Sequence, residues 1–114
     1  MDWLFSRQYD EKHYNCFHFT AEVWKALTGE AIEDRLGGLL GLLSGQGASV
    51  VPTAPFLALA QPLSPSLAIM RRPRSTPHVG IYLERKILHI QPRGVEFQPP
   101  EVAALGFTRI NYYK

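Results

Sequence analysis

The sequence predicts an α+β domain in which N-terminal helices pack on a small antiparallel β-sheet. In the first third of the chain, apolar residues recur every three or four positions, which is typical of amphipathic helices. The second half contains short apolar stretches separated by polar turns, which is typical of strands. Because the two patterns occupy separate parts of the chain, they indicate α+β and not alternating α/β structure. At 114 residues, the chain is long enough for one hydrophobic core, so we expect a single domain over residues 1–114.

The first long helix is predicted over residues 16–28. Asn15 precedes it and is a preferred N-cap residue, because its side-chain oxygen can accept from the amides of the first turn. Gly29 is a suitable stop, since glycine readily adopts the left-handed conformation that ends helices. Four apolar residues at helical spacing are expected to share one face: Phe17, Ala21, Trp24 and Leu27.

The segments around this helix give weaker patterns. Residues 1–15 predict a short helix or turn followed by a loop, and residues 30–36 predict a second helical piece. Residues 36–43 stay open, because their leucines favour a helix while each of the three glycines costs about 1 kcal/mol there.

Residues 44–65 contain the turn-rich part of the chain. Residues 44–49 predict a loop, and they lack the lysine and the preceding strand of a phosphate-binding loop. Four prolines over residues 50–65 exclude a central strand or a regular helix. Within them, residues 56–60 predict a short helix or an edge strand, and no known motif matches residues 36–65.

The strand patterns begin after this region. A short polar break at residues 84–86 suits a hairpin between two of the predicted strands. A helical turn is predicted over 101–105, after two prolines. The predicted strands cover residues 67–70, 78–83, 87–90, 94–97 and 108–113.

Composition narrows the possible classes of partner. The net charge is only +2, and the one basic cluster, residues 71–74, is interpreted as a solvated strand end, so we expect no nucleic-acid partner. The polar start of the chain is unlike a signal peptide. The longest apolar run, residues 36–43, is much shorter than the ~20 residues of a membrane span, so no transmembrane segment is expected. A single cysteine excludes an internal disulfide.

That single cysteine, Cys16, is predicted to lie at the start of the first helix. The positive end of the helix dipole and the unpaired amides there favour a thiolate, so the sequence predicts a lowered pKa and a nucleophilic role. A buried structural cysteine is the alternative, and it is the commoner role for a lone cysteine.

A cysteine nucleophile needs a base and a residue that orients the base, and the predicted hairpin offers His78 and His89. With a connection centred on Arg85, residues whose numbers sum to about 170 face each other, which places His89 opposite Ile81. Whether both imidazoles share a face stays open, because the loop length decides the parity. A surface or core role is the alternative for each histidine.

At the start of the helix, His13, Cys16 and His18 lie close enough in sequence to resemble three metal ligands. Zinc sites favour four ligands in characteristic pairs, and the chain has no second pair. We therefore expect no metal.

The quoted residues together resemble the NlpC/P60 cysteine peptidases, and more narrowly the short versions found in phage tail modules. Residues 14–16 lead into an amphipathic helix, as the cysteine motif of that family does. Residues 78–83, His-Val-Gly-Ile-Tyr-Leu, are similar to the family's histidine strand, and residues 87–89 bring a polar residue on the next strand. The resemblance covers about Tyr9 to Tyr113. Asn15 and His18 depart from it, standing where aspartate and a small residue are common.

The resemblance implies a papain-like NlpC/P60 fold and a Cys-His-His triad. Cys16 would be the nucleophile, His78 the general base and acid, and His89 the orienting residue. A tyrosine upstream of the cysteine would help to stabilise the oxyanion, with Tyr9 the first candidate and Tyr14 the second. His18 would narrow the pocket or add a polar contact, and the backbone amide of Cys16 would donate to the oxyanion.

The same resemblance implies a phage tail-associated peptidase or amidase that hydrolyses peptidoglycan stem peptides without a cofactor. Such a protein would be made in the host cytoplasm, be carried at the virion tail tip with other tail-tip proteins, and act on the cell wall. A structural tail-tip protein with the same fold and little or no hydrolysis is the alternative. A different thiol enzyme on the papain-like scaffold, such as a toxin-type amidase or an acyltransferase, and an unrelated binding domain also stay open.

Overall fold

The computed structural model describes residues 2–43 and 56–114. The predicted loop at 44–49 and the prolines of residues 50–55 lie outside this description. Within the described residues the chain is mixed α+β, with helices and one six-stranded antiparallel sheet. The predicted fold class is therefore confirmed at that level.

A short 3₁₀ helix, Asp2–Ser6, precedes the first long helix, α1, which covers Cys16–Thr28 as predicted. The Asn15 side chain accepts from the Phe17 amide at 3.0 Å, and the His18 ring accepts from the Asn15 amide at 3.2 Å. Together these contacts form a capping box, which satisfies amides that the helix leaves unpaired. Gly29 ends the helix with a left-handed φ of 79°.

The buried face of α1 overlaps the predicted one. Ala21 and Trp24 are buried as members of both, whereas Phe17 and Leu27 are only partly buried and the buried face extends to residues on one side of them. These buried residues are Phe19, Thr20, Ala21, Val23 and Trp24. The apolar stripe of this helix is broad, so its period alone did not decide which edge of it meets the sheet.

The second helix, α2, covers Glu33–Leu43 and so starts later and runs further than the predicted piece at 30–36. It continues through the glycines of residues 36–43. Leu36 and Leu39 are buried in the core, and tertiary packing of this kind outweighs the poor helix propensity of glycine. A third helix, α3, is a single turn at Pro100–Ala103.

Strands are found in every predicted stretch, with ends that differ by a residue or two. The sheet order is β1-β6-β2-β3-β4-β5, and each pair of neighbouring strands is antiparallel. The first strand is a two-residue edge strand that pairs with the last. The strands are β1 Ala58–Leu59, β2 Ser66–Arg71, β3 His78–Leu83, β4 Lys86–Gln91, β5 Gly94–Gln98 and β6 Arg109–Tyr113.

The β3–β4 hairpin closes with two residues, Glu84 and Arg85, whose φ angles are 50° and 70°. Two consecutive positive φ angles are typical of a type I′ turn, whose twist suits an antiparallel pair. The pairing sets Ile81 opposite Leu88, one residue away from the predicted register. Because a shift of one residue moves side chains to the other face, this difference decides where the histidines point.

The sheet has a packed cluster on each face. On one face, Val79 and Ile81 of β3 and Leu88 and Ile90 of β4 pack against α1 in what we call the helix-side core. On the other face, an opposite-face cluster contains Ala68, Met70, Ile87 and Ala103, with Tyr82, Phe107, Ile110 and Tyr112 partly buried against it. Among the described residues, no helix combines the length and the apolar character needed to cross a membrane.

Candidate active site

His78 and His89 form a direct pair near the end of the β3–β4 hairpin. His78 Nε2 lies 2.9 Å from His89 Nδ1, and the two rings meet edge to face at 5.1 Å. His89 is fully buried, and a Cβ built on Gly80 would lie 2.9 Å from the His89 Cβ. His78, Gly80 and His89 therefore share the face of the opposite-face cluster, whereas their neighbours in the two strands pack on α1.

A chain of hydrogen bonds assigns the protons of this pair. The Gln98 amide donates from Nε2 to Glu96 at 2.9 Å, so its Oε1 faces His89 Nε2, also at 2.9 Å. An amide oxygen can only accept, so His89 carries its proton on Nε2 and accepts at Nδ1. His78 then donates from Nε2, which leaves its Nδ1 as the nitrogen that can take a proton.

Cys16 lies at the first position of α1, and it lines a cavity of about 290 Å³ together with His78 and Tyr9. The backbone N–H of Val79, the residue after His78, is close enough to Cys16 to lower the pKa of its thiol. The two strands pack on α1 through Val79 and its core neighbours, and His78, the first residue of β3, lines the cavity, whereas His89 lies behind it and is not among the described lining residues. The structure thus brings Cys16 and His78 to the lining of one cavity, and the register sets His78 on the same face as His89, a point that the sequence left open.

The electrostatics of Cys16 differ from the expectation based on the helix dipole. The backbone N–H groups of Val79, Phe17 and Cys16 itself favour the thiolate, but burial has the larger effect and raises the pKa of Cys16 above its usual value. Desolvation disfavours the charged form of any thiol. The resting site therefore holds a neutral thiol, and the predicted lowering of the Cys16 pKa is wrong for the resting protein.

Both imidazoles of the pair are also neutral at rest. Burial, then the neighbouring His89 and then Arg72, lowers the pKa of His78 to about 4. Burial likewise lowers the pKa of His89, although Gln98 opposes this shift. These directions agree with the proton assignment above, in which each ring carries a single proton.

The lowered histidine pKa values predict a loss of stability in mild acid. The unfolded chain binds protons at its histidines near pH 6.5, whereas folded His78 binds one only near pH 4. The stability is therefore fully present above pH 6.5 and is lost as the pH falls, by about 2 kcal/mol between pH 7 and pH 5. Urea unfolding at several pH values measures this slope, and the variant His78→Gln should flatten it. A wild-type free energy that stays constant over this window would contradict the neutral pair.

The three tentative site residues lie in different places. Tyr9 lines the cavity, and burial, with Cys16 second, raises the pKa of its hydroxyl. Tyr14 instead donates to Glu22, which also holds a bidentate ion pair with Arg7. His18 serves the capping box of α1 and stacks on Tyr14. Neither Tyr14 nor His18 is among the described residues that line the cavity, so Tyr9 is the tyrosine that the geometry favours.

Sequence reasoning missed the residues that surround the pair. Gln98 and Glu96 orient His89, yet they lie on β5, outside any motif. Phe107 stacks on the His78 ring at 5.6 Å with the planes 11° apart, and Arg72 lies 4.8 Å from the Phe107 ring. The one sequence signal for these contacts is that Glu96 and Gln98 are two residues apart and so share one face of β5. Placing them beside His89 also requires the pairing register of β4 and β5, which the sequence alone does not give.

The structure also bears on the other candidate ligands. Among the described residues, no three histidine, cysteine or acidic side chains gather as a metal site. His13 is 80% exposed at its side chain and contacts Asp10 at 3.3 Å. His18 caps α1, so the three residues that lie close in sequence have separate surroundings.

Comparison of the chain with family models, with curated proteins and with solved structures gave no match. The fold, the cavity and the histidine pair therefore carry the functional argument together with the sequence motifs.

Proposed function

We propose that the protein hydrolyses an amide bond with Cys16 as nucleophile, His78 as general base and acid, and His89 as the orienting residue. The observation that carries this proposal is one cavity lined by Cys16 and His78, with His78 held from behind by His89 at 2.9 Å. A nucleophile, a base and a group that fixes the tautomer of the base are the parts that thiol hydrolases need.

In the proposed reaction, the thiol proton of Cys16 passes to Nδ1 of His78 while the sulfur attacks the carbonyl carbon. The resting pair is neutral, so this transfer accompanies the attack. Tyr9 and the Cys16 backbone N–H donate to the oxyanion. The imidazolium then protonates the leaving amine as the C–N bond breaks, giving a thioester. Water, deprotonated by His78, hydrolyses that thioester and restores the thiol.

The substrate class follows from the resemblance to the NlpC/P60 peptidases. A helix that opens with cysteine, packed on an antiparallel sheet whose neighbouring strands carry two histidines, agrees with that resemblance. We therefore propose a papain-like NlpC/P60 fold and a peptidoglycan stem peptide as substrate. By the same resemblance, we propose a place at a phage tail tip, with other tail proteins as partners and the bacterial cell wall as the site of action.

Release of new amino groups from purified peptidoglycan tests the proposal. Cys16 is the only cysteine, so iodoacetamide modifies one defined sulfur and gives a matched inactive control from the same preparation. We expect release by the untreated protein and none after alkylation, with one carbamidomethyl group seen by mass spectrometry. Absence of release from several peptidoglycan types, or release that survives full alkylation, would sink the proposal.

The buried, neutral thiol of Cys16 favours a second candidate. A structural tail-tip protein would keep the fold and need no thiolate. It predicts stable incorporation into tail particles without hydrolysis, and equal incorporation of the Cys16→Ala variant. Amino-group release therefore distinguishes the two candidates: the hydrolase releases amino groups only while Cys16 is intact, whereas the structural protein releases none.

A further inference from the structure

We propose that Arg72 forms an anion subsite in the Cys16 cavity and binds a carboxylate of the substrate close to the scissile amide. This inference rests on the proposed function for the identity of the substrate. The subsite itself is formed by Arg72 and Phe107, which have no role in the proposed reaction. It predicts a preference for acidic over amidated substrates.

The position of Arg72 is set by stacking. Its guanidinium lies 4.8 Å from the Phe107 ring centroid, and the other member of that stack, the His78 ring, is nearly parallel to Phe107 at 5.6 Å. Arg72, Phe107 and His78 all line the cavity with Cys16. A planar guanidinium held on an aromatic ring keeps its edge available for bidentate binding of a carboxylate.

The charge of Arg72 is not balanced by the described protein. Among the described residues, no carboxylate forms an ion pair with Arg72. The described residues that line the cavity include no aspartate or glutamate. Residues 44–55, outside the description, contain no acidic residue in the sequence. An anion in this cavity therefore meets a cation, and none of the described residues that line the cavity is a competing carboxylate.

Neighbouring cations extend the same surface. Arg71 and Arg109 line an adjoining depression together with Arg72. Arg71 is held there by its Nη2, which donates to the Leu43 carbonyl at 3.0 Å. This group of arginines raises the local concentration of anionic substrate, and Arg72 is the member that also lines the cavity with the thiol.

A carboxylate bound at Arg72 would also make His78 a stronger proton acceptor. Three causes hold the pKa of His78 low: burial, the adjacent His89 and the positive charge of Arg72. A bound carboxylate offsets the third cause, so it eases the proton transfer from Cys16 to His78. The charged groups near the partner ring, Glu96 and Arg93, act in opposite directions on His89, and they are unchanged by the ligand.

The first test compares two stem peptides that differ only in whether the carboxylate beside the scissile amide is free or amidated. We expect kcat/KM to favour the free acid by about tenfold or more, since a hydrogen bond to a charged group is worth that much. Arg72→Gln should remove the preference, whereas Arg74→Gln, a change in the same turn, should keep it. Equal rates for both peptides in the wild type would overturn the inference.

A second readout does not depend on hydrolysis. N-acetylglycine, a small carboxylate, is titrated into the Cys16→Ser protein while the His78 ring is followed by NMR over pH. We expect saturable binding and a raised His78 pKa, with both effects lost in the Arg72→Gln, Cys16→Ser double variant. Binding without any peptide hydrolysis would sink the proposed function and leave the subsite intact. Failure of N-acetylglycine to shift His78, or an equal shift in the double variant, would overturn the subsite.

Discussion

Replacing His78 by alanine is expected to lower kcat/KM for amide hydrolysis by about 10² to 10⁴-fold, the usual contribution of a positioned general base. The resting thiol is neutral because burial raises the pKa of Cys16, so little thiolate exists without a proton acceptor. In the proposed reaction His78 would supply that acceptor at Nδ1, while its Nε2 lies 2.9 Å from His89 Nδ1. Steady-state rates on a defined stem peptide measure the loss, with Cys16→Ala giving the background rate.

The control for this experiment is His13→Ala. His13 lies three residues before the cysteine but is largely exposed, and among the described residues its polar contacts are with Asp10. We expect His13→Ala to keep hydrolysis within about twofold, since exposed side chains away from the reacting atoms rarely affect rate or stability by much. The thermal midpoint of each variant separates lost chemistry from lost structure. A folded His78→Ala protein with a rate near that of the wild type would rule out the assigned base.

Replacing Gly80 by alanine is expected to destabilise the domain by about 2–3 kcal/mol, because a new methyl group in a closely packed interior forces backbone shifts. A Cβ at Gly80 would lie 2.9 Å from both the His89 Cβ and the Leu88 carbonyl oxygen. The carbonyl belongs to the backbone of the paired strand and has little freedom to move. Urea unfolding measures the change, which should be accompanied by loss of the His78–His89 contact.

Gly37→Ala is the matched control, the same substitution on another element. Gly37 lies within α2 and is exposed, and the nearest atom to its added Cβ would be the Phe17 ring at 4.0 Å. Alanine is the better helix former by up to about 1 kcal/mol, so this variant should be slightly more stable than the wild type. If Gly80→Ala were as stable as Gly37→Ala, the close approach of β3 and β4 at His89 would be contradicted.

Local patterns in the sequence determined much of the fold. The Asn15 cap, the Gly29 stop and the length of α1 were all predicted, because capping and helix periodicity depend on residues within one turn. The strands and the β3–β4 hairpin were predicted for the same reason, since apolar stretches and polar turns are short-range signals. The choice of Cys16, His78 and His89 as candidates was also made from the sequence.

The tertiary structure alone decided how these residues meet. A register one residue away from the predicted one sets His78 and His89 on the same face, and no local signal measures register to that accuracy. At Cys16, burial outweighs the helix dipole and raises the pKa of the thiol. The sequence did not predict this result, because desolvation depends on every neighbour of the sulfur in the folded chain. The supporting contacts of Gln98 and Arg72 depend on packing between elements distant in sequence. Sequence therefore named the candidate reacting groups, and long-range packing decided their faces, their protons and their charge.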